Sequence, residues 1–395
     1  MSYSRYTNKK PRQYEPQMSV IISPPDKTLL VVVAFLVILG LMAIFSASAP
    51  KCMDAGLNPA KFLLSQMVYL VVGYIGLKFL TNYDYKNLVL ITTPLAFFVI
   101  LFLILVNYTP LGVTVNEAKR WIGIGMFQFQ PSEFAKPAVI MLLASAFYKN
   151  DNIMDNHKIV YYFLPILLMV FMIFKQPNLS MVILLMLTSL VMYLSAGGPL
   201  KVFVMGAGIG AFGLLTAGVT QLIKPYQMSR ITTWLNPESD PLGAGYNVIQ
   251  SMVAFATGGF WGVGYGSSKQ KLAWLPESHT DFIFAVMAEE LGFIGCLLVI
   301  GLFWTFIHRG FLIASRCPDM YGKLLAVGIT FSIGFQAFLN MSVASSLLPA
   351  TGVTLPFISY GGSSLMVSMW MVGILLNISK KRVKKIRVNA NVRHL

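Results

Sequence analysis

Long apolar runs alternate with short polar segments along most of the chain. Each run is close to the twenty residues that an α-helix needs to cross the hydrocarbon core of a bilayer. No cleavable signal sequence is evident before the first run, so we expect that run to be a retained spanning helix. The pattern predicts an all-α polytopic membrane protein with ten spans, at about residues 28–48, 61–81, 88–107, 132–148, 160–175, 178–196, 200–222, 282–308, 322–346 and 357–379.

Composition favours a membrane protein over a soluble domain. Hydrophobic residues fill 56% of the 395 positions, charged residues fill 11%, and the mean hydropathy is +0.68. Soluble domains carry roughly 25% charged residues. On the predicted topology Cys52 lies on the extracytoplasmic side, Cys296 lies within the membrane and Cys317 lies on the cytoplasmic side. No pair can meet, so no disulfide bond is expected.

The net charge of +15 is concentrated in two tails, 1–27 and 380–395, that flank a predicted membrane domain at 28–379. Because Lys and Arg accumulate on the cytoplasmic side of spanning helices, both termini are predicted to be cytoplasmic, where the tails would also attract anionic membrane lipids. No aromatic residues interleave with the charges of the C-terminal tail, so a nucleic-acid partner is not expected. No internal repeat is visible.

Two connections are much longer than hairpin loops, namely 108–131 and 223–281. On the predicted topology both lie on the extracytoplasmic side. Loops of this length in a compact protein are usually functional or disordered. Because these two are rich in Trp, Tyr, Gly and Pro, we expect ordered structure seated at the membrane interface.

The stretch WLPESHTDFIFAVMAEELG, residues 274–292, is unusually acidic for a chain with only 15 Asp and Glu. Thr280 or Ser278 is expected to cap a helix that begins near Asp281. Asp281 would then lie in the first turn, where the helix dipole favours a negative charge. On the residues alone, a structural role for this acid is as well supported as a catalytic one.

Other ionisable residues lie near Asp281 in the sequence. Glu277 and His279 precede it. A lone histidine in a loop is more often solvated than catalytic. Glu289 lies about 12 Å further along the helix. At that depth a charge costs about 2.5–3.5 kcal/mol, so it should face a cavity or a partner. Glu290 lies about 100° around the helix from Glu289, so at most one of the two faces any given site.

A basic and aromatic cluster lies in the stretch NEAKRWIGIGMFQFQPSEFAKP. Lys119, Arg120 and Trp121 are suited to an anionic headgroup or a diphosphate, and equally to ordinary anchoring at the membrane interface. Glu133 and Lys136 have the i, i+3 spacing of a helical ion pair, which is more often structural than catalytic.

Two segments interrupt the helical pattern. The glycine-rich run ATGGFWGVGYGSSKQK does not match the phosphate-binding pattern G-x-x-x-x-G-K-[ST], so ATP binding is excluded. Its glycines predict tight turns or a close backbone approach to a ligand. In LLPATGVTLPFISYGGSS, the residues Pro349, Pro356, Gly361 and Gly362 break the helix, which at membrane depth is typical of a cavity lining or of helix packing. At this point transporter, lipid-handling enzyme and receptor all remain open.

These motifs together resemble the SEDS family of bacterial cell-wall proteins. The resemblance rests on AKRWI…QPSEFAK, KQPN, WLNPESDPLGAGYNVIQS, GGFWGVGYGSSKQKL, LPESHTDFIFAVMAEELGFIG and LPATGVTLPFISYGGSS, in the family's order over residues 28–379. GGSS and DPLGAGYNVIQS resemble the division branch, FtsW, and its sporulation relative more than the elongation branch, RodA. One departure is Asn178, where the family often has an aspartate, so an acid or metal role there is in doubt.

The resemblance implies a peptidoglycan glycosyltransferase that polymerises lipid II at the outer face of the bacterial cytoplasmic membrane, for septal wall synthesis in cell division. Asp281 matches the family's essential acid and would act as the base of an inverting reaction. A divalent cation, Mg²⁺ or Mn²⁺, is the expected cofactor. The candidates for binding the substrate or its diphosphate are Lys119, Arg120, Glu133, Lys136, Glu277, His279, Glu289, Ser359, Gly361 and Ser363.

The same resemblance implies partners: lipid II and the nascent glycan on undecaprenyl diphosphate, a class B penicillin-binding protein, and other division proteins. Three alternatives remain at this stage. One is a flippase for the lipid-linked precursor, although no inverted repeat is visible and the polar clusters gather at one face. The second is an elongation-type polymerase related to RodA. The third is a scaffold without catalytic activity.

Overall fold

The computed structural model describes residues 17–115, 118–124, 127–149, 159–199, 201, 230, 232–241, 243, 245–272 and 275–386. Within them a helix lies at each predicted span except the seventh, 200–222, which apart from residue 201 falls outside the described residues. The helices are α1 Lys27–Asp54, α2 Lys61–Asn82, α3 Leu88–Tyr108, α4 Pro131–Lys149, α5 Ile159–Lys175, α6 Leu179–Ser195, α7 Tyr246–Gly258, α8 Ile283–Arg316, α9 Met320–Ala344 and α10 Gly362–Ser379.

Six helices of the described chain are long and apolar enough to cross a membrane: α1, α2, α3 with the short 3₁₀ turn before it, α8, α9 and α10. Helices α5 and α6 are apolar but shorter, and α4 contains the charges of Glu133 and Lys136. The last span begins at Gly362 rather than at the predicted residue 357. The residues before it form irregular backbone, because Phe357 adopts a positive φ of 67° that a helix does not allow.

The two tails meet in a short antiparallel ribbon that the sequence pattern does not predict. Strand β1, Gln17–Ile22, pairs with β5, Lys381–Ile386. Immediately after β1, the Asp26 side chain accepts a hydrogen bond from Leu29 N at 3.0 Å and so caps the start of α1. The ribbon therefore marks the end of the bundle at which α1 begins and α10 finishes.

The first long connection is folded as a three-stranded antiparallel sheet in the order β2-β3-β4. Its strands are β2 Gly112–Val115, β3 Ala118–Ile124 and β4 Phe127–Phe129. The sheet follows α3 and leads into α4, which begins at Pro131. Because α1 begins at the ribbon and three helices precede the sheet, the sheet lies at the opposite end of the bundle from the ribbon.

Helices α9 and α10 form the centre of the bundle. Nearly all of α10 is buried, and α2 and α9 both pack along it. One buried polar side chain of this core, Gln336 on α9, is paired on both sides: it accepts a hydrogen bond from Lys136 Nζ on α4 at 2.7 Å, and donates to the carbonyl of Thr354 at 3.0 Å. A polar network thus runs from the bundle centre toward the segment between α9 and α10.

Helix α8 is interrupted at Gly292, whose φ of 67° and ψ of −166° are not helical. The glycine-rich run packs against this break. Val263 N donates to the carbonyl of Glu289 at 3.0 Å, and Phe293 N donates to the carbonyl of Gly259 at 3.0 Å. Backbone groups of the loop therefore take the place of the helical hydrogen-bond partners that the break removes. These glycines bring the loop backbone close to α8, whereas the sequence pattern predicted tight turns or a close approach to a ligand.

Candidate active site

A cavity of about 360 Å³ lies at the end of the bundle opposite the ribbon. The end of α1, the start of α2, strand β3, the start of α4, the turn before α8 and the segment between α9 and α10 all contribute to its walls. Six residues that the sequence predicts as site residues line this cavity: Arg120, Glu133, Glu277, His279, Asp281 and Gly361.

Asp281 lies in a tight turn that precedes α8, not in the first turn of the helix. The turn is closed by bonds from Thr280 N and Phe282 N to the carbonyl of Glu277, at 3.1 and 3.3 Å. The start of α8 has no side-chain cap, and the Thr280 hydroxyl bonds to Glu277 Oε2 at 2.8 Å. The expected cap by Thr280 or Ser278 is therefore wrong, because the Thr280 hydroxyl is used within the turn.

Buried side chains hold the backbone of this turn from behind. Asn340 Nδ2 on α9 donates to the carbonyl of Asp281 at 2.8 Å. Ser359 Oγ donates to the carbonyl of Thr280 at 2.6 Å and accepts from Leu355 N at 2.8 Å. Ser359 therefore positions the turn and does not line the cavity.

The surroundings of Asp281 raise the pKa of its carboxyl to about 6. Burial is the main cause, because it disfavours the charged form, and the nearby carboxylate of Glu277 adds to it. The cations of Arg230 and Arg120 act in the opposite direction. A carboxylate with this pKa is ionised at pH 7 but is a stronger base than an ordinary aspartate, which suits a general base.

Two arginines form the basic side of the cavity. Arg120 Nε and Nη2 donate to the carbonyls of Gln176 and Pro177, at 3.0 and 2.6 Å. Arg230 Nη1 donates to the carbonyl of Ala350 at 2.9 Å. These bonds to fixed backbone preorganise both guanidinium groups, which are suited to a diphosphate.

The basic side adjoins the carboxylate at Gly352. A side-chain carbon added at this glycine would lie 3.6 Å from Asp281 Oδ2 and 3.8 Å from Arg120 Nη1. The carboxylate and the guanidinium therefore flank the same small space. This space is open because residue 352 lacks a side chain, which its φ of 71° also favours.

Aromatic rings form another side of the cavity. The Phe62 ring centroid lies 4.7 Å from that of His279 and 4.9 Å from that of Tyr360. Burial lowers the pKa of His279 to about 4, with Lys51 acting in the same direction and Glu277 against it. The imidazole is therefore neutral at pH 7. Flat, largely apolar surfaces of this kind are suited to the faces of sugar rings.

Glu133 and Lys136 form the ion pair that their spacing predicts, with Lys136 Nζ 2.6 Å from Glu133 Oε2. Glu133 lines the cavity, whereas Lys136 is fully buried beneath it. A buried lysine needs compensation for its lost hydration, which the pair and Gln336 provide. The ion pair therefore holds Glu133 in the cavity wall. Lys136 is too deeply buried to contact a ligand.

The structure places several other predicted residues away from the cavity. Lys119 Nζ donates to the carbonyl of Thr109 at 2.7 Å and does not line the cavity, whereas its neighbours Arg120 and Trp121 do. Ser363 Oγ accepts a hydrogen bond from Gln130 N at 3.1 Å.

Glu289 belongs to a separate buried cluster. It accepts hydrogen bonds from the Ser268 hydroxyl, from Lys269 N at 3.0 Å and from Gln270 N at 3.3 Å. Glu290 points elsewhere, as the helical geometry predicts, and pairs with Lys271. Neither glutamate lines the cavity that contains Asp281.

The sequence patterns did not single out several residues that line the cavity or hold its edge, among them Lys51, Arg230 and Asn340. Lys51 follows an apolar run, and Arg230 lies in a long loop without a recognisable motif. Asn340 had a usable signal, since an amide in an apolar span normally needs a buried partner. Lys51 and Arg230 can be assigned to the site only from the fold, because distant segments of the chain bring them to the cavity.

The residues of the cavity do not form a metal site by themselves. Among the described residues no group of three or more His, Cys, Asp or Glu is arranged to hold a metal ion. Glu277 and Asp281 nevertheless line the same cavity. Magnesium in phosphate-transfer sites is commonly held by one or two carboxylates together with substrate phosphates. The donor set therefore fits a cation that is shared with a diphosphate.

Comparisons with known sequences agree with this architecture. The model of the FtsW/RodA/SpoVE family, described as cell cycle proteins, matches residues 26–384. A probable peptidoglycan glycosyltransferase FtsW from Trichlorobacter lovleyi is 38% identical over 359 residues, which cover 90% of this chain and 93% of the relative. Stage V sporulation protein E from Bacillus subtilis is 40% identical over 361 residues, 90% of this chain and 97% of the relative.

Solved structures show the same fold. A chain from a study of how a peptidoglycan synthase complex coordinates polymerization and crosslinking superposes with a TM-score of 0.74, at 31% identity over 90% of this chain and 97% of that one. The rod shape determining protein RodA from Thermus thermophilus superposes with a TM-score of 0.66, at 28% identity over 90% and 96%. The chain therefore belongs to the FtsW/RodA/SpoVE family of cell cycle proteins.

Proposed function

We propose that this chain is a peptidoglycan glycosyltransferase that polymerises lipid II into glycan strands at the outer face of the cytoplasmic membrane. The observation that best supports this is Asp281, whose carboxyl has a raised pKa and lies in a cavity shared with two arginines. The relatives named as peptidoglycan glycosyltransferases support the same activity.

The reaction needs a base because a sugar hydroxyl is a weak nucleophile while it keeps its proton. Asp281 removes the proton from the 4-hydroxyl of the acceptor GlcNAc. That oxygen forms a bond to the anomeric carbon of MurNAc at the end of the growing chain. The bond from this carbon to undecaprenyl diphosphate breaks, and its electron pair leaves with the diphosphate. Attack from the opposite face inverts the configuration at the anomeric carbon.

Arg120 and Arg230 stabilise the negative charge that develops on the leaving diphosphate. Their guanidinium groups are already held by backbone carbonyls, so little reorganisation accompanies the reaction. Diphosphate is a good leaving group and needs charge stabilisation more than it needs a strong acid. The aromatic side of the cavity, Phe62 and Tyr360 with the neutral His279, would receive the sugar rings.

Glu277 and Asp281 are the residues that would hold a divalent cation together with the substrate diphosphate. Such a cation would supply additional neutralisation of phosphate charge. The arrangement implies competition, since a carboxylate that binds a cation is a weaker base. Glu277 is therefore the better ligand and Asp281 the better base.

The biological role proposed here is septal wall synthesis with a class B penicillin-binding protein as the crosslinking partner. Support comes from the relatives named FtsW and from the likeness to a chain of a peptidoglycan synthase complex. The long apolar helices are consistent with a multi-pass protein of the cytoplasmic membrane.

The decisive test uses the purified full chain in liposomes with a class B partner, lipid II and Mg²⁺ or Mn²⁺. Products are separated by size for the wild type, for Asp281→Asn, and for Asp84→Asn as a matched control. Asp84 lies at the other end of the bundle, where it pairs with Lys381 at the surface. We expect long glycan strands from the wild type and the control, and none from folded Asp281→Asn.

Other outcomes would change the assignment. Equal polymer from Asp281→Asn would keep the enzyme but remove Asp281 as the base. Transfer of lipid II across the liposome membrane without polymer, under conditions in which an established polymerase is active, would support the flippase.

A further inference from the structure

A second polar cavity, of about 210 Å³, lies at the ribbon end of the bundle, far from Asp281. It is formed where the chain enters α1, beside the last turns of α8 and the start of β5. Lys27, Arg309 and Arg382 contribute three positive charges to its walls, and Asp26 contributes one negative charge. The cavity is therefore a cationic site built from three separate parts of the chain.

Asp26 is the one carboxylate that the described residues bring to this cavity, and it is already engaged. Asp26 is buried, accepts a hydrogen bond from Leu29 N, and forms an ion pair with Arg309 Nη2. Arg382 Nε donates to the carbonyl of Ser379 at 2.9 Å, which fixes this guanidinium at the cavity edge. Among the described residues, Arg309 Nε is buried without a hydrogen-bond partner. With three cations and one carboxylate among its described lining residues, the site has surplus positive charge that an anionic oxygen would neutralise.

The surroundings of the cavity favour a lipid over a soluble anion. In β1, Val20 and Ile22 are 58% and 83% exposed, although both side chains are large and apolar. The partner strand β5 is basic, KRVKKI, and Ile22 is paired with Lys381. A ribbon with exposed apolar side chains on one strand and cations on the other has the composition of an element that lies in the headgroup region.

The depth of the cavity agrees with this reading. It lies where α1 and α8, both candidate membrane spans, reach the polar end of the bundle. Phospholipid phosphates occupy this level of a bilayer. We propose that the cavity binds the phosphate of an anionic glycerophospholipid between Lys27, Arg309 and Arg382, with Val20 and Ile22 inserted among neighbouring lipids.

Occupancy of this site would join α1 to α8. These helices also provide two sides of the catalytic cavity, since Lys51 lies near the end of α1 and Asp281 immediately precedes α8. The proposal does not depend on the glycosyltransferase reaction, because it concerns lipid binding at the other end of both helices. The proposal therefore concerns two measurable properties, the affinity of the protein for anionic lipid and its thermal stability.

The test measures binding of dioctanoyl phosphatidylglycerol to the full chain in neutral detergent at physiological salt, by native mass spectrometry and by the shift in melting temperature. Dioctanoyl phosphatidylcholine is the zwitterionic comparison. The double variant Lys27→Gln/Arg382→Gln removes two cations of the cavity. The matched control, Lys78→Gln/Lys86→Gln, removes two exposed cations near the same end of the bundle that do not line the cavity.

We expect the wild type to prefer phosphatidylglycerol and the double variant to bind it about 30-fold more weakly, since each cation near an anionic lipid contributes about 1 kcal/mol. The control should remain within about twofold of the wild type, because salt screens exposed charges. Inorganic phosphate at millimolar concentration should not displace the lipid.

Four results would overturn the proposal. The first is equal affinity of the wild type for the two lipids, which does not depend on whether the double variant folds. The second is an equal loss in the control, which would mean general surface attraction. Displacement by inorganic phosphate would indicate a site for free phosphate. Binding of a poly-glutamate peptide in place of phosphatidylglycerol would indicate an acidic protein partner.

Discussion

Lys271 Nζ lies 2.7 Å from Glu290 Oε1, and the two side chains are only 4% and 3% exposed. Ser46 of α1 joins them, since its hydroxyl bonds to Glu290 at 2.6 Å and accepts from Lys271 at 2.8 Å. One ion pair thus connects the glycine-rich run, α1 and the half of α8 that follows Asp281. Buried pairs of this kind add little net stability, but removing one partner leaves a buried charge uncompensated.

We predict that Lys271→Met and Glu290→Gln each destabilise the folded chain by about 3–5 kcal/mol, whereas the double variant loses much less. Each single change isolates one buried charge, and the double change removes both. The measurement is unfolding of the purified protein in one detergent for all four members of the cycle. Additive losses in the double variant would mean that the two charges do not compensate each other.

The break in α8 gives a second prediction, at Gly292. Its φ and ψ lie in a region that is almost restricted to glycine, and an added side-chain carbon would meet the backbone of Phe260 and Trp261, both at 2.7 Å. We expect Gly292→Ala to destabilise the protein by more than the 1–3 kcal/mol of backbone strain alone, because the loop must also move.

The matched control is Gly301→Ala in the same helix. Apart from the helix's own backbone, no atom of the described residues lies within 4 Å of an added side-chain carbon there, and the residue is helical. Alanine should raise the stability at this position by about 0.5–1 kcal/mol. If the two variants behaved alike, the helix break at Gly292 would have no special requirement for glycine.

The pKa of Asp281 predicts the acid limb of the pH profile. A base must be unprotonated in the free enzyme, so kcat/KM should fall tenfold per pH unit below about pH 6. Bound diphosphate places negative charge beside the carboxylate and favours its protonated form, so the limb of kcat should lie at higher pH. The measurement is initial rate of polymerisation against pH at low and at saturating lipid II.

Neighbouring charges should move this limb in opposite directions. Glu277→Gln removes a negative neighbour, so the pKa of Asp281 falls and the limb shifts to lower pH. Arg230→Gln removes a positive neighbour, and the limb shifts to higher pH. Asp84→Asn, at the other end of the bundle, should leave the limb in place. A wild-type limb near pH 4 would show that the cavity does not raise the pKa of the catalytic base.

Sequence patterns predicted the parts of this site that are local. The Glu133–Lys136 pair is a short-range feature, for which residue type and spacing are sufficient. Asp281 was singled out as the base only by the resemblance, and the turn that holds it differs from the predicted helix start. Arg230 and the pairing of Lys271 with Glu290 depend on contacts between distant segments. The ribbon was missed because strand β5 looks like a solvated basic tail until β1 is placed beside it. The interruption of α8 was missed because a glycine in an apolar run is equally typical of helix packing.

The adjacent cations Lys119 and Arg120 give the sharpest test of the basic side of the cavity. Arg120 uses two nitrogens to bind two backbone carbonyls while facing the cavity, and a lysine cannot reproduce both bonds. We predict that Arg120→Lys lowers kcat/KM by about 100-fold, comparable to the loss of one donor to a developing anion. Lys119→Gln should change it by less than about threefold, because its Nζ is bound to the carbonyl of Thr109, away from the cavity. The measurement is the initial rate of glycan synthesis at limiting lipid II for both variants, after equal thermal stability has been established. A larger loss in Lys119→Gln than in Arg120→Lys would assign the diphosphate to the other face of β3.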